Sequence, residues 1–346
     1  MKKIKNTLFT EKPVTIDNNS LIMAIESSCD ETACAIVKGG REVLANVVAS
    51  QIKIHEEYGG VIPEIAAREH LEAINLVIEE AFKQAGVNGH DISAFAGTVG
   101  PGLVGCLLVG MNAAKTLSLA YDKPFIGVNH LCAHISANFI DTTLEPPFIA
   151  LLVSGGHTQI IKVKSFSEME IIGETIDDAV GEAYDKVARL IGLPYPGGPK
   201  LDKLAQEGNP YAFKLPEAKV GGYDFSFSGL KTASLRLVKS FGDKELPLND
   251  ICASFQECVS QTLYKKVKNA LSQTGYNQVV LAGGVAANSE IRKKIFSLKE
   301  FGYDVYAPVM KYCTDNAAMV ASAAFFFDGK GSVFDNPNVE VFSRVK

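Results

Sequence analysis

The chain lacks several features that whole protein classes require. None of its seven cysteines sits in a Cys-x-x-Cys pair, and the count is odd. That argues against a disulfide framework and fits a reducing compartment. Cys29, Cys34, Cys106, Cys132, Cys252, Cys258 and Cys313 all lie among apolar or small residues and read as core fillers. Excess positive charge is also missing. A net charge of -5 excludes a generally basic coat for nucleic acid, although a local basic patch or a partner can supply one. No apolar run is long and uninterrupted. The best, residues 99–120, is broken by Pro101, four glycines, Asn112 and Lys115, so no membrane span is expected. Residues 1–20 are polar, without the apolar stretch of a signal peptide, and read as a loose extension. The expected location is the cytoplasm.

What is present is enough for two lobes. The chain has 346 residues, 47% of them hydrophobic. The run Leu21-Ile22-Met23-Ala24-Ile25-Glu26 predicts a strand, followed by a small polar turn and two further strands in an antiparallel meander. Residues 63–86 predict a helix closed by Gly86. The plan then restarts. Phe148-Ile149-Ala150-Leu151-Leu152-Val153 is a strand, Ser154-Gly155-Gly156-His157-Thr158 a tight turn, and residues 159–164 a return strand. This repetition suggests a duplicated unit; two unrelated hairpins would look the same. Residues 251–274 predict a long amphipathic helix, and residues 214–232 an irregular Gly- and aromatic-rich cover.

Few histidines occur, six in all, and two of them stand four apart in Asn129-His130-Leu131-Cys132-Ala133-His134. On a helix capped by Asn129 they project from one face and can share a metal ion. Asp315, just before another helix, supplies a carboxylate. Two His and one carboxylate leave coordination positions open, which suits catalysis. His55, His70 and His90 have no such company and are expected on the surface.

Other motifs suit a nucleotide. Ser154-Gly155-Gly156 can present backbone N–H groups to a phosphate, although any hairpin turn needs glycine. Gly283-Gly284-Val285-Ala286-Ala287-Asn288 follows a buried strand and opens a helix, where nucleotides bind in such sheets; a plain strand-to-helix turn capped by Asn288 is the alternative. Asp178, Glu182 and Asp185 share a helix face that leads to Pro196-Gly197-Gly198-Pro199 and Asp202; they form either a solvated acidic face or acceptors for ribose hydroxyls. Gly100-Pro101-Gly102, with Gly105 and Gly110, is expected to serve close helix packing rather than anion binding. Asp30 and Glu31, in the first turn, can accept a proton or hold a cation.

Taken in order, these segments resemble one family. Glu26-Ser27-Ser28-Cys29-Asp30-Glu31-Thr32, Asn129-His130-Leu131-Cys132-Ala133-His134, Val153-Ser154-Gly155-Gly156-His157-Thr158, Asp177-Asp178-Ala179-Val180-Gly181-Glu182, Phe227-Ser228-Gly229-Leu230-Lys231-Thr232, Gly283-Gly284-Val285-Ala286-Ala287-Asn288 and Thr314-Asp315-Asn316 match the tRNA N6-adenosine threonylcarbamoyltransferases of TsaD type, once labelled glycoproteases. The resemblance implies an α/β, two-lobed fold like actin, Hsp70 and sugar kinases, each lobe a duplicated mixed sheet with flanking helices and a cleft between. The expected division is residues 1–20 as extension, 21–145 as first lobe with a C-terminal helix (316–346) packing back, and 146–315 as the nucleotide-binding lobe. It implies transfer of a threonylcarbamoyl group from threonylcarbamoyl-adenylate to N6 of adenosine 37 in tRNAs reading codons that begin with A. One divalent metal per subunit, Fe2+ ahead of Zn2+, would sit on His130, His134 and Asp315. The adenylate would bind Leu152, Val153, Ser154, Gly155, Gly156, Asp185, Gly198, Asp202 and Asn288, with Gly283 and Gly284 beside them. A TsaB-type paralogue, a TsaE-type ATPase and tRNA are the implied partners, with no membrane. The rivals are a metallopeptidase, which lacks its usual Glu after His130, and a silent nucleotide-binding scaffold.

Overall fold

A computed structural model describes residues 16–327 and 339–344. Most of the expected extension and part of the expected C-terminal segment lie outside them. In chain order the elements are β1 (Leu21–Glu26), β2 (Glu31–Lys38), β3 (Glu42–Ser50), α1 (Ile52–Glu56), α2 (Pro63–Ala85), β4 (Ala94–Gly100), α3 (Val104–Tyr121), β5 (Phe125–Asn129) and α4 (His130–Ser136). Next come β6 (Phe148–Val153), β7 (Thr158–Ser165), β8 (Glu168–Glu174), α5 (Val180–Leu190), α6 (Gly197–Ala205), α7 (Ser228–Ser240), α8 (Leu248–Thr274), β9 (Gln278–Ala282), α9 (Ser289–Phe296), β10 (Asp304–Tyr306) and α10 (Ala317–Phe326).

Two compact units result. Among the described residues, one comprises 147–164 and 169–307, and the other holds 16–146, 165–168, 308–327 and 339–344. Each contains a five-stranded sheet, ordered β3-β2-β1-β4-β5 in one and β10-β9-β6-β7-β8 in the other. Read from β8, the second order repeats the first. In both, the first strand pairs antiparallel with the second and parallel with the fourth. The expected restart of the chain plan at Phe148 is therefore a repetition of topology. β1 and β6 are central and covered on both faces, which is why each reads as an unbroken apolar run.

Helix ends follow local chemistry. Pro63 opens α2, and Gly86 closes it at φ 66°. α3 is long and apolar enough to cross a membrane by length and composition. Its small residues instead serve close approach. Ser27 Oγ donates to the Cys106 carbonyl at 2.8 Å and accepts the Gly110 N–H at 3.1 Å, and a Cβ on Gly110 would strike that hydroxyl. This is the packing role expected of the glycine-rich run.

Three expectations change. The irregular segment at 214–232 already contains the start of a helix, α7, at Ser228. The last described helix ends at Phe326, and residues 339–344 are not helical; Val339 and Phe342 pack on the core of Met23, Ile25, Phe95 and Phe125, with Phe342 N–H donating to the Val99 carbonyl at 2.9 Å. His55 and His70 are fully buried rather than on the surface. His70 Nε2 faces the Cys29 carbonyl at 3.1 Å, so that nitrogen carries the proton, and Nδ1 accepts from the Thr32 hydroxyl at 2.7 Å. His55 Nε2 meets Gln51 Oε1 at 3.1 Å.

Candidate functional site

In the unit of β1–β5, Asn129 ends β5 and caps α4, accepting the N–H groups of Leu131 at 2.9 Å and Cys132 at 3.4 Å. The cap starts the helix at His130 and puts His134 one turn along the same face, with ring centroids 4.6 Å apart. Asp315 arrives from elsewhere in the chain. It immediately precedes Asn316, whose side chain caps α10 by accepting the Met319 N–H at 3.0 Å. α10 lies against α4 and β1, and Ser322 Oγ donates to the Ser136 carbonyl at 3.2 Å. The two helix caps thus bring three side chains of distant sequence together. Asp315 Oδ1 is 3.2 Å from His134 Nε2 and 3.6 Å from His130 Nε2.

One potential ligand atom from each of the three residues lies within 4.8 Å of the other two. A tetrahedral ion with bonds near 2.1 Å needs ligand atoms roughly 3.4 Å apart, so the donors fit with small adjustment. The electrostatics agree. Burial pulls the His130 imidazole down, but Asp315 and Glu26 outweigh it and push it up to about 9. Burial also raises Asp315, yet His130 and His134 hold it at about 2. The carboxylates of Glu26 and Asp315 flank His130, and a divalent cation held there would balance their charge.

The turn between β1 and β2 adds Asp30, and Glu31 follows as the first residue of β2. Burial, then the charges of Asp315 and Asp30, push the Glu31 carboxyl up to about 10. A cation beside Asp315 would relieve part of that repulsion. The turn is fixed from beneath: His70 holds the Cys29 carbonyl, and Gln51 N–H donates to the Asp30 carbonyl at 2.9 Å. Glu26 is a residue that the sequence reading missed. It ends β1 fully buried and accepts from Ser28 N–H at 2.6 Å, from the Thr98 hydroxyl at 2.5 Å, and from His130 Nδ1 at 3.2 Å.

The other unit gathers the residues expected to bind a nucleotide. Leu152 and Val153 are buried at the end of β6, and the turn Ser154-Gly155-Gly156 follows. A Cβ on Gly155 or Gly156 would meet nothing within 4 Å, so the turn is open. α5 starts against it: Gly181 N–H donates to the Ser154 carbonyl at 3.2 Å, and a Cβ on Gly181 would come within 2.7 Å of that oxygen. Gly283, at φ 90°, has no room for a Cβ beside the Val153 carbonyl, whereas Gly284 faces open space.

The carboxylates are partly engaged. Asp185 Oδ1 accepts Gly197 N–H at 2.9 Å and Gly198 N–H at 3.3 Å, which fixes the start of α6. Burial still raises this carboxyl, against those two bonds. Asp202 accepts the Ser289 hydroxyl at 2.6 Å, Ser289 N–H at 3.1 Å and Gln256 Nε2 at 2.9 Å. Asn288 caps α9 through Ile291 N–H at 3.0 Å and donates to Gln256 Oε1 at 2.9 Å. Gln256, hidden in the middle of α8, thus links Asp202 to Asn288. Nothing in its sequence context marks it. Asp178 and Glu182 instead pair with Lys186, at 2.6 and 2.8 Å. Of these three residues Glu182 is exposed, while Asp178 and Lys186 are half-buried.

Comparison with known proteins agrees with this picture. The family model described as TsaD, tRNA N6-adenosine threonylcarbamoyltransferase, matches residues 42–322. A curated protein of that name from Clostridium perfringens (strain SM101 / Type A) is 53% identical over 322 residues, covering 91% of this chain and 95% of that protein. Another, from Picosynechococcus sp., is 53% identical over 331 residues and covers 92% and 93%. Among solved structures, full-length HypF in a phosphate- and nucleotide-bound form aligns with a TM-score of 0.61 at 18% identity, over 91% of this chain and 47% of that one. Component A of (R)-2-hydroxyglutaryl-CoA dehydratase from Acidaminococcus fermentans aligns at 0.51 and 16% identity, over 89% and 96%. These two neighbours, at such identity, speak for the shared actin/Hsp70/sugar-kinase-like fold alone. The relatives and the family model speak for more: the chain belongs to the TsaD family of tRNA N6-adenosine threonylcarbamoyltransferases.

Proposed function

We propose that this chain transfers a threonylcarbamoyl group from threonylcarbamoyl-adenylate to N6 of adenosine 37 in tRNAs reading codons that begin with A. The products are N6-threonylcarbamoyladenosine and AMP. It is an acyltransferase by its family. The observation that carries the chemistry is the convergence of His130, His134 and Asp315, three donors that fit one divalent ion with positions to spare. Fe2+ is the ion proposed first and Zn2+ second. When bound, such an ion acts as a Lewis acid on an acyl carbonyl.

The chain's own residues do the rest. His130, His134 and Asp315 hold the ion. In the turn Ser154-Gly155-Gly156, the Ser154 N–H closes the hairpin onto the His157 carbonyl at 2.8 Å, and the N–H groups of Gly155 and Gly156 are offered to the phosphate, where charge grows as AMP departs. Asp185, bonded to the α6 start through Oδ1, presents Oδ2 to a ribose hydroxyl. Gly198, Gly283 and Gly284 give the nucleoside room, and Leu152 and Val153 back the turn. Asp202 and Asn288, joined by Gln256, keep the α9 end of that cradle in shape. The new bond is N6–C; the bond that breaks joins the carbonyl carbon to the phosphate oxygen. Asp30 takes the amine proton, or Glu31 does so once a cation beside Asp315 has brought its carboxyl down from about 10.

The proposal includes tRNA, a TsaB-type paralogue and a TsaE-type ATPase as partners, in the cytoplasm. Exposed Val104, Leu108 and Leu119 share one side of α3 and offer an apolar face for a partner helix. His134→Ala tests the core of the reading. It should remove the bound metal and lower tRNA modification by about three orders of magnitude or more, with the thermal melt retained. Full metal occupancy in that variant would sink the ligand assignment. Full multiple-turnover modification by the isolated chain would refute the need for partners and leave the transferase intact.

A further inference from the structure

Glu26 has no reason to be a carboxylate on grounds of fold. β1 and β6 occupy the same place in their two sheets, each six residues long, and where β1 ends in Glu26, β6 ends in Val153. The topology accepts a plain apolar residue there. Burying a carboxylate costs several kcal/mol unless its oxygens are well satisfied. Glu26 is fully buried, and three donors surround it. Ser28 N–H is 2.6 Å from Oε1, and the Thr98 hydroxyl 2.5 Å from Oε2. The third is His130 Nδ1, 3.2 Å from Oε2.

That third contact has a chemical consequence. Nδ1 of His130 also lies 3.3 Å from the Ser28 hydroxyl, which can accept or donate, whereas a carboxylate oxygen only accepts, so contact with Glu26 requires that Nδ1 carry a hydrogen. The lone pair of the neutral ring is then on Nε2, the nitrogen on the Asp315 side, 3.6 Å from Oδ1. We infer that Glu26 is the positioning residue of the metal centre. It fixes the His130 tautomer and ring orientation, so that Nε2 is presented to the ion together with His134 and Asp315. Ser28 and Thr98 hold Glu26 in turn. The sequence Glu26-Ser27-Ser28 therefore serves the metal from a residue that never touches it, while Asp30 of the same turn and Glu31 after it remain for the substrate. The inference rests on the metal reading above, and its test separates the two.

The probe is Zn2+ alone, added to the purified metal-free chain and measured by competition with a chromophoric chelator. Outer-shell carboxylates of this kind are worth about 10–100-fold in metal affinity. Glu26→Gln keeps the shape but replaces one acceptor by an NH2 group, so Zn2+ should bind about 10–100-fold more weakly, with the melt of the metal-free protein still cooperative. Thr98→Val leaves the carboxylate and removes only its brace; it should weaken Zn2+ binding by less than Glu26→Gln. The wild type gives a readout free of any folding defect. Long-range 15N–1H spectra of its histidine rings in the Zn2+-loaded state should show His130 bound through Nε2 and protonated at Nδ1. Coordination through Nδ1, or Glu26→Gln affinity within twofold of wild type, would overturn the role of Glu26 and leave the metal centre standing. A wild type that takes up no Zn2+ would overturn both.

Discussion

The two units share one strand order and have put it to opposite uses. In the first, the loops at the strand ends are filled. Gly102, after β4, lies so close to Ser28 that a Cβ would come within 2.7 Å of its carbonyl oxygen, and the turn after β1 is pinned at the Cys29 and Asp30 carbonyls. In the second, the corresponding loops are open. Gly155, Gly156 and Gly284 have nothing within 4 Å of where a Cβ would stand. Closed loops hold side chains still, which is what a metal centre and its carboxylates need. Open glycine loops expose backbone N–H groups, which is what a phosphate and a flat base need. The strand order is the same in both frames; the proposed metal centre lies beside the closed loops and the proposed nucleotide cradle beside the open ones.

Glycines test that contrast directly. Gly283→Ala should be the most damaging of the loop substitutions. It places a Cβ on a residue at φ 90° and drives it into the Val153 carbonyl, for a loss of about 2 kcal/mol or more in an equilibrium unfolding experiment. A neutral result would mean that β6 and the Gly283 loop are not held in contact. Gly155→Ala probes the opposite case. Its methyl enters open space, so stability should stay within about 0.5 kcal/mol, while affinity for an adenylate analogue falls several-fold by calorimetry. Unchanged affinity would remove the turn from the phosphate site; lost stability would mean that it is not open.

Much of this was legible in the sequence because the signals were local. A six-residue apolar run, a turn of small or polar residues and a return strand declared each unit, and two His four apart beside a capping Asn declared the helix face on which Asp315 converges. Asp315 was legible from its place before a helix. What stayed hidden depends on partners far along the chain. His70 reads as solitary in the sequence because Thr32 and Cys29, which surround it, are 38 and 41 residues away. Glu26 looked like the polar end of a strand, since His130 is 104 residues distant. Gln256 sits mid-helix among residues that would bury in any protein, and only the fold brings Asp202 and Asn288 to it. The start of α7 was masked by a glycine- and aromatic-rich stretch that resembles a loop until Asp177 gathers it: Asp177 accepts from the hydroxyls of Ser226 and Ser228 and from Phe227 N–H, at 2.5, 2.6 and 2.8 Å.

The division of labour between the units is tested most directly by a crossed measurement on two variants. His134→Ala and Asp185→Ala are each assayed for metal content and for affinity toward a non-hydrolysable adenylate analogue. The account predicts that His134→Ala loses the metal and binds the analogue as wild type does, whereas Asp185→Ala keeps the metal and binds the analogue about tenfold more weakly, a loss of about 1.4 kcal/mol. If Asp185→Ala lost the metal, or if its affinity for the analogue were unchanged while that of His134→Ala collapsed, the separate roles assigned to the two units would be contradicted.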